Sequence, residues 1–220
     1  MIKKFDEFIN ENIFDGIGRR SKGGVVRKEN YVEYVDLGLP SGTLWATCNL
    51  GASSPEEYGD YYAWGETETK DYYDWDTYKF GEEFNLTKYN YEDGKTILDP
   101  EDDAAHVVLG GEWHMPTKKQ IEELFENTTN EKSRLNWVEG ILFTSKINNK
   151  KLFFPYSGFK NKFSIDRRGY NVYYWSSSID ENSYTSVDSI IIHSFRFNDH
   201  ILDKENRCYG LCVRGVLGGK

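Results

Sequence analysis

Val35–Glu66, VDLGLPSGTLWATCNLGASSPEEYGDYYAWGE, is the stretch whose reading decides the fold. LPSG is turn chemistry, and TLWATCNL beyond it alternates Leu44, Ala46, Cys48 and Leu50 along one face, the period of a half-buried strand. The preceding YVEYVDL, from Tyr31, reads as its partner strand. A polar loop then leads to the aromatic DYYAW, expected as a short strand. Cys48 accordingly reads as a buried strand residue.

Working outward, Asp99-Pro100 predicts a helix start, with an acceptor at the cap and proline in the first turn, running through DDAAHVVL to Gly110. TKKQ from Thr117 is a capping box, opening a second helix that buries Ile121, Leu124 and Phe125. After Arg134 the pattern turns to strands: LNWVE, ILFTSKI, KLFFPYS, NVYYWSS, SIIIHSFRF and CYGLCVRGV. Asn148-Asn149-Lys150 is a hairpin turn, since asparagine tolerates positive φ. Two helices among many short antiparallel strands and long loops predict an α+β domain. Ahead of it, Ile2, Phe5, Phe8, Ile9 and Ile13 recur at helical spacing, predicting an amphipathic helix over residues 1–14. Residues 15–30, with Gly16, Gly18, Gly23 and Gly24 among bases, read as a linker.

Composition excludes several function classes. The net charge is −9, yet residues 1–28 carry seven Lys/Arg against four Asp/Glu, so the body is more acidic than the whole. An acidic body repels nucleic acid, whose binding rests on phosphate neutralisation. No apolar run reaches membrane-spanning length, and MIKKFDEFINENIF is too polar for a signal-peptide core. Neither membrane insertion nor export is expected. Cys48, Cys208 and Cys212 form no disulfide framework. Placed in one strand, Cys208 and Cys212 would share a face about 13 Å apart, too far to bond. His106, His114, His193 and His200 show no metal-ligand spacing, and no metal or cofactor is expected. The acids at 99–103 read as helix-capping rather than as a calcium site.

The opening stretch together with WHMPT at 113–117, YYWSSS at 173–178 and CYGLCVRGV at 208–216 resembles the family known as the major paralogous domain of Fibrobacter succinogenes, common in Bacteroidetes and their phages. The resemblance covers residues 31–217. It implies a C-type lectin-like fold and a recognition scaffold rather than an enzyme, with Trp45, Trp64, Trp113 and Trp175 in the core. Phe197-Asn198-Asp199 is similar to half of the calcium-dependent sugar site of lectins, but the partner motif is absent. Cys208 and Cys212 do not match the redox pair of the related formylglycine-generating oxidases.

In lectin-like domains of this kind the ligand face lies just before the C-terminal strand, and in some relatives it is diversified. That implies ligand contacts at Tyr174, Ser176, Asp180, Asn182, Tyr184, Arg196, Asn198, Asp199, His200 and Asn206. IKKFDEFINEN resembles the capsid-targeting leader of phage internal head proteins, with Ile9-Asn10-Glu11 matching a head-protease site. The expectation is a phage virion protein that binds a bacterial cell-surface glycan or protein, with residues 1–14 docking on a capsid or scaffold protein. The alternatives are a head decoration or internal cargo protein of purely structural role, and a bacterial surface adhesin.

Overall fold

The computed structural model describes residues 17–20, 32–180, 183–193 and 201–219. Among these, the strands in chain order are β1 Ile17–Arg20, β2 Val32–Asp36, β3 Leu44–Ala46, β4 Gly81–Glu82, β5 Asn85–Leu86, β6 Thr128–Leu135 and β7 Val138–Ser145. They continue with β8 Lys151–Pro155, β9 Phe159–Asn161, β10 Ser164–Asp166, β11 Asn171–Asp180, β12 Ser183–His193, β13 Ile201–Asn206 and β14 Val216–Leu217. Among the described residues two α-helices, α1 Ala104–Leu109 and α2 Lys118–Asn127, join these strands in an α+β arrangement. Every pairing between these described strands is antiparallel, in small sheets ordered β1-β2-β3-β14, β6-β7-β8 and β11-β12-β13, with two-stranded β4-β5 and β9-β10; Tyr174 of β11 adds an isolated parallel bridge to Cys212. No helix among the described residues is long and apolar enough to cross a membrane.

The opening stretch forms the expected pair, with Val35 opposite Trp45, and β14 closes on the far side with Val216 also opposite Trp45. The strand is shorter than its alternation suggests. Cys48 lies beyond β3 and is half-buried, because Arg214 captures the carbonyls of Ala46 and Thr47 and turns the chain. DYYAW is likewise no strand; Tyr62 alone makes a bridge, to Leu211. The linker expected over residues 15–30 is partly structural, since β1 pairs antiparallel with β2 from Ile17–Val35 to Arg20–Val32. The helix expected over residues 1–14, with Ile9 and Glu11, lies outside the described residues.

Thr117 forms the expected capping box with Gln120, and α2 buries Ile121 and Leu124 while Phe125 packs at the edge of the core. The first helix differs. Asp99 makes no side-chain cap bond; Pro100–Asp102 is a single 3-10 turn, and Asp103 caps α1 by accepting from the His106 amide. Asp103 also accepts from the Met115 amide, 2.8 and 3.0 Å from its two oxygens, so one carboxylate ties α1 to the WHMPT phrase. LNWVE is not one strand: Leu135 ends β6, Val138 and Glu139 open β7, and Asn136 and Trp137 between them have positive φ, 44° and 70°, the pattern of a two-residue loop between twisted strands. Asn149 has φ 60° in the turn expected there. CYGLCVRGV runs extended but belongs to no sheet before Val216. Its carbonyls and amides bond in turn to Lys160, Tyr62, Trp175 and Leu50, so no single neighbour accompanies it.

Trp45, Trp64, Trp113 and Trp175 are all buried, as expected. Edge-to-face rings run through the centre, Trp45 on Phe154 and Phe154 on Tyr174 among them, an arrangement that aligns ring edge with ring face.

Candidate ligand-binding cleft

The 208–212 segment is the strip on which a surface cleft is built. On one side Lys160 of β9 exchanges both backbone hydrogen bonds with Gly210, at 2.7 and 2.9 Å. On the other, Tyr62 does the same with Leu211, at 2.9 and 3.0 Å. The β9–β10 hairpin and the Gly59–Tyr61 loop are thereby held as facing walls, and Thr69–Asp71 closes the rim. The open cleft is about 390 Å³, lined by Asp60, Tyr61, Lys70, Asp71, Lys160, Ile165 and Arg168 among others. Gly158 makes the hairpin side possible. Its φ is +62°, and a Cβ there would collide with the Asp166 carbonyl and the Arg168 amide, so only glycine lets that loop fold close.

Tyr61 is the hinge of the chemistry. It is buried, its hydroxyl donates to the Ser157 carbonyl at 2.6 Å, and it accepts from Arg168 Nη2 at 2.9 Å and Nε at 3.3 Å. Burial pushes its phenol well above the ordinary range, so it stays a neutral donor. Arg168 also lies over the Tyr58 ring, 4.8 Å from its centroid. Lys160 Nζ sits 5.3 Å from the Tyr73 ring centroid and 5.6 Å from that of Tyr61.

The cations of the cleft differ in their commitments. Lys70 is paired with Glu66 at 2.8 Å and donates to the Thr77 carbonyl. Among the described residues, neither Lys160 nor Arg168 pairs with a carboxylate. Next to the cleft, Phe163 at the β9–β10 turn packs at a tilt against Tyr72 with centroids 4.6 Å apart and is 78% exposed. These residues were not expected as a site. The visible signal is FKNKFSIDRRGY at 159–170, four cations and three rings in a chain of net charge −9.

The sequence-predicted ligand residues are not brought together there. Tyr174 and Ser176 are fully buried and are not surface contacts. The Tyr174 hydroxyl accepts from Asn49 Nδ2 at 2.8 Å, and Ser176 donates to the Ser178 carbonyl. Alternation alone could not separate them from surface residues, because β11 is covered on both faces around Trp175. Asn206 is half-buried at the end of β13, paired with Ser186. Asp180 and Tyr184 are described by backbone only, in β11 and β12. Asn182, Arg196, Asn198, Asp199 and His200 lie outside the described residues.

Other candidate groups are accounted for by the scaffold. The carboxylates of Asp99, Glu101 and Asp102 gather within 4.8 Å, but Lys88 Nζ stands among them, 2.7 Å from Asp99 and 2.6 Å from Asp102. Lys79 and Lys95 add further bonds at 2.7 and 2.6 Å. Burial alone would raise Asp102; the bonds from Lys79, Lys88 and Tyr89 outweigh it and hold the carboxyl below its usual range. Cys208 and Cys212 are buried free thiols, each pushed up to about 12 chiefly by burial, which leaves them protonated and poor nucleophiles. A second cleft, about 540 Å³, lies between the turn after β3 and Val108–Leu109. It presents Cys48, whose thiol is also raised, first by burial.

No family model, curated protein or solved structure matches the chain.

Proposed function

We propose that the chain is a non-enzymatic recognition module with a C-type lectin-like fold, carried on a phage particle, that binds a glycan or protein of the bacterial surface. The observation that supports it best is the pair of uncommitted cations, Lys160 and Arg168, held against tyrosine rings in a cleft whose walls are pinned to one backbone strip. A rigid base presenting adaptable polar and aromatic contacts is the usual design of a binding surface. The placement on a virion rests on the leader resemblance alone. Recognition does not need a metal in this reading, because the acidic cluster is already neutralised by lysines.

The test is binding of the labelled, purified chain to a panel of bacterial cells and to a glycan array, with and without a chelator. Saturable binding that survives chelation and is lost when Lys160 and Arg168 are both replaced by alanine is the expected result. Binding lost instead in the triple variant Tyr184→Ala, Asn198→Ala, His200→Ala, and retained in the cleft variant, would move the contact face to the C-terminal region. Absence of any cell or glycan binding would reject recognition itself.

A further inference from the structure

We infer that the cleft takes an acidic saccharide, a sugar ring bearing one carboxylate, with Arg168 and Lys160 on the carboxylate and Asp60 and Asp71 on ring hydroxyls. This rests on the reading of the chain as a recognition module and adds the ligand class.

The argument begins with which groups are spent. Five charged residues line the cleft, Asp60, Lys70, Asp71, Lys160 and Arg168, with the Asp60 carboxylate set against Gly51. Lys70 is neutralised by Glu66 outside the lining. Two cations and two carboxylates remain, and no ion pair within 4.0 Å joins them. A cleft with this balance does not suit a dense polyanion, since each added negative charge would face Asp60 and Asp71. It suits a ligand with a single negative charge and several hydroxyl donors. Carboxylates accept such donors well, and an acidic sugar carries both kinds of group on one small frame.

The arginine is oriented for that task. Its guanidinium has five N–H donors in a planar fork. Tyr61 takes the Nε–Nη2 edge and Tyr58 covers one face, so the Nη1–Nη2 edge is the one left to grip a carboxylate with two parallel bonds. Lys160, resting on Tyr61 and Tyr73, supplies a second charge without a competing acid. Ile165, directly opposite Lys160 in the β9–β10 register, adds an apolar patch for the C–H face of the ring. The volume, about 390 Å³, lies within the range of small-ligand sites.

The experiment is calorimetric or NMR titration of the whole chain with galacturonate, glucuronate and N-acetylneuraminate. Controls are the methyl ester of the best-binding acid, its neutral parent sugar, glucosamine and inorganic sulfate. At least one acid should bind, with its methyl ester and neutral parent at least about tenfold weaker. Arg168→Gln should weaken the acid by roughly tenfold or more. Arg168→Lys, which keeps the charge and loses the fork, should fall between. Asp60→Asn with Asp71→Asn should weaken the acid but not sulfate. Urea midpoints of the variants, expected unchanged, separate lost contacts from lost folding.

Failure of all three acids to bind, equal affinity for the ester, or preference for glucosamine would overturn the inference. So would sulfate binding as tightly as the acid, which would make the site a general anion cradle. If cells are bound by the wild type and Arg168→Gln alike, without competition from any of the acids, the ligand class is wrong and recognition stands. If no cell or glycan is bound at all, both fall.

Discussion

Arg214 and Arg168 carry the same charge in opposite settings. Arg214 is fully buried; it donates to Asn49 Oδ1 at 2.8 Å and to the carbonyls of Ala46, Thr47 and Phe153 at 3.1, 2.6 and 3.2 Å. Its guanidinium lies 4.6 Å from the Phe154 ring centroid. It stitches the end of β3 to β8, and all three of its nitrogens donate to the scaffold. Arg168 is exposed, bonds a single phenol and leaves an edge open. A buried guanidinium met by carbonyls at each nitrogen is architecture, whereas an exposed one without an acid, in an acidic protein, is a contact. The difference is set by the neighbours each arginine meets in space, since both are flanked by glycine and near aromatic residues in the sequence.

The largest effect that tests this contrast is on stability. Arg214→Met should cost on the order of 4 kcal/mol, because it strands buried carbonyls and an amide oxygen that then lack any donor. Arg168→Gln should stay within about 0.5 kcal/mol, as an exposed substitution. Urea denaturation of the two variants decides it. A larger loss for Arg168→Gln would dissolve the distinction between scaffold and cleft.

A second contrast sets these free cations against the lysines of the acidic cluster. Asp99 and Asp102 are both held below the usual carboxylate range; for Asp99 the bond from Lys88 leads, followed by Lys95. A depressed carboxyl contributes stability that is present in full above the unfolded value, about 3.9, and is lost as pH falls through the lower folded value. Unfolding free energy should therefore decline in the window below about pH 4. Lys88→Met should cost about 2 kcal/mol at neutral pH, since Asp102 is buried but keeps Lys79 and Tyr89. That cost should shrink as the acids protonate. A Lys88→Met penalty independent of pH would mean that packing, not charge, holds the cluster. Lys160→Met should show no such acid-linked loss.

How much of this was legible depends on distance along the chain. The Thr117 capping box involves residues three apart and was readable as written. The cap of α1 was not: DPEDD offers several acids, and Asp103 prevails over Asp99 because Met115 supplies further amide donation from beyond the helix. Trp137 at positive φ is a position no propensity favours, and the hairpin register of β6 and β7 imposes it. The strand at Thr128–Leu135 was hidden because six of its eight residues are polar or charged at exposed or half-exposed positions. The cleft was half visible. Its basic, aromatic half is contiguous at 159–170, but Arg168 meets Tyr61 across 107 positions, which a single sequence does not reveal. The phrase at 173–178 looks like a binding surface because tyrosine and serine abound there. It is instead part of the core, where the Ser176 carbonyl accepts from Trp64 Nε1.

Tyr174→Phe has a smaller expected cost than Arg214→Met or Lys88→Met and draws the sharpest line between the two regions. Its hydroxyl accepts from Asn49 Nδ2, and the same amide nitrogen donates to the Tyr58 carbonyl, also at 2.8 Å. Tyr58 in turn carries its ring under Arg168. A chain of contacts thus runs from the buried motif to the cleft, and the hydroxyl is one end of it. Removing the hydroxyl leaves the Asn49–Tyr58 bond and the Asn49–Arg214 bond in place, so Tyr58 should not shift. The cost should be about 1 kcal/mol, that of one neutral hydrogen bond, with affinity for the best acidic sugar unchanged within about twofold. Paired measurement of urea midpoint and titration on the same preparation gives both numbers. A tenfold loss of affinity at that modest cost in stability would show that the motif strand sets the cleft through Asn49, and that scaffold and site act as one unit.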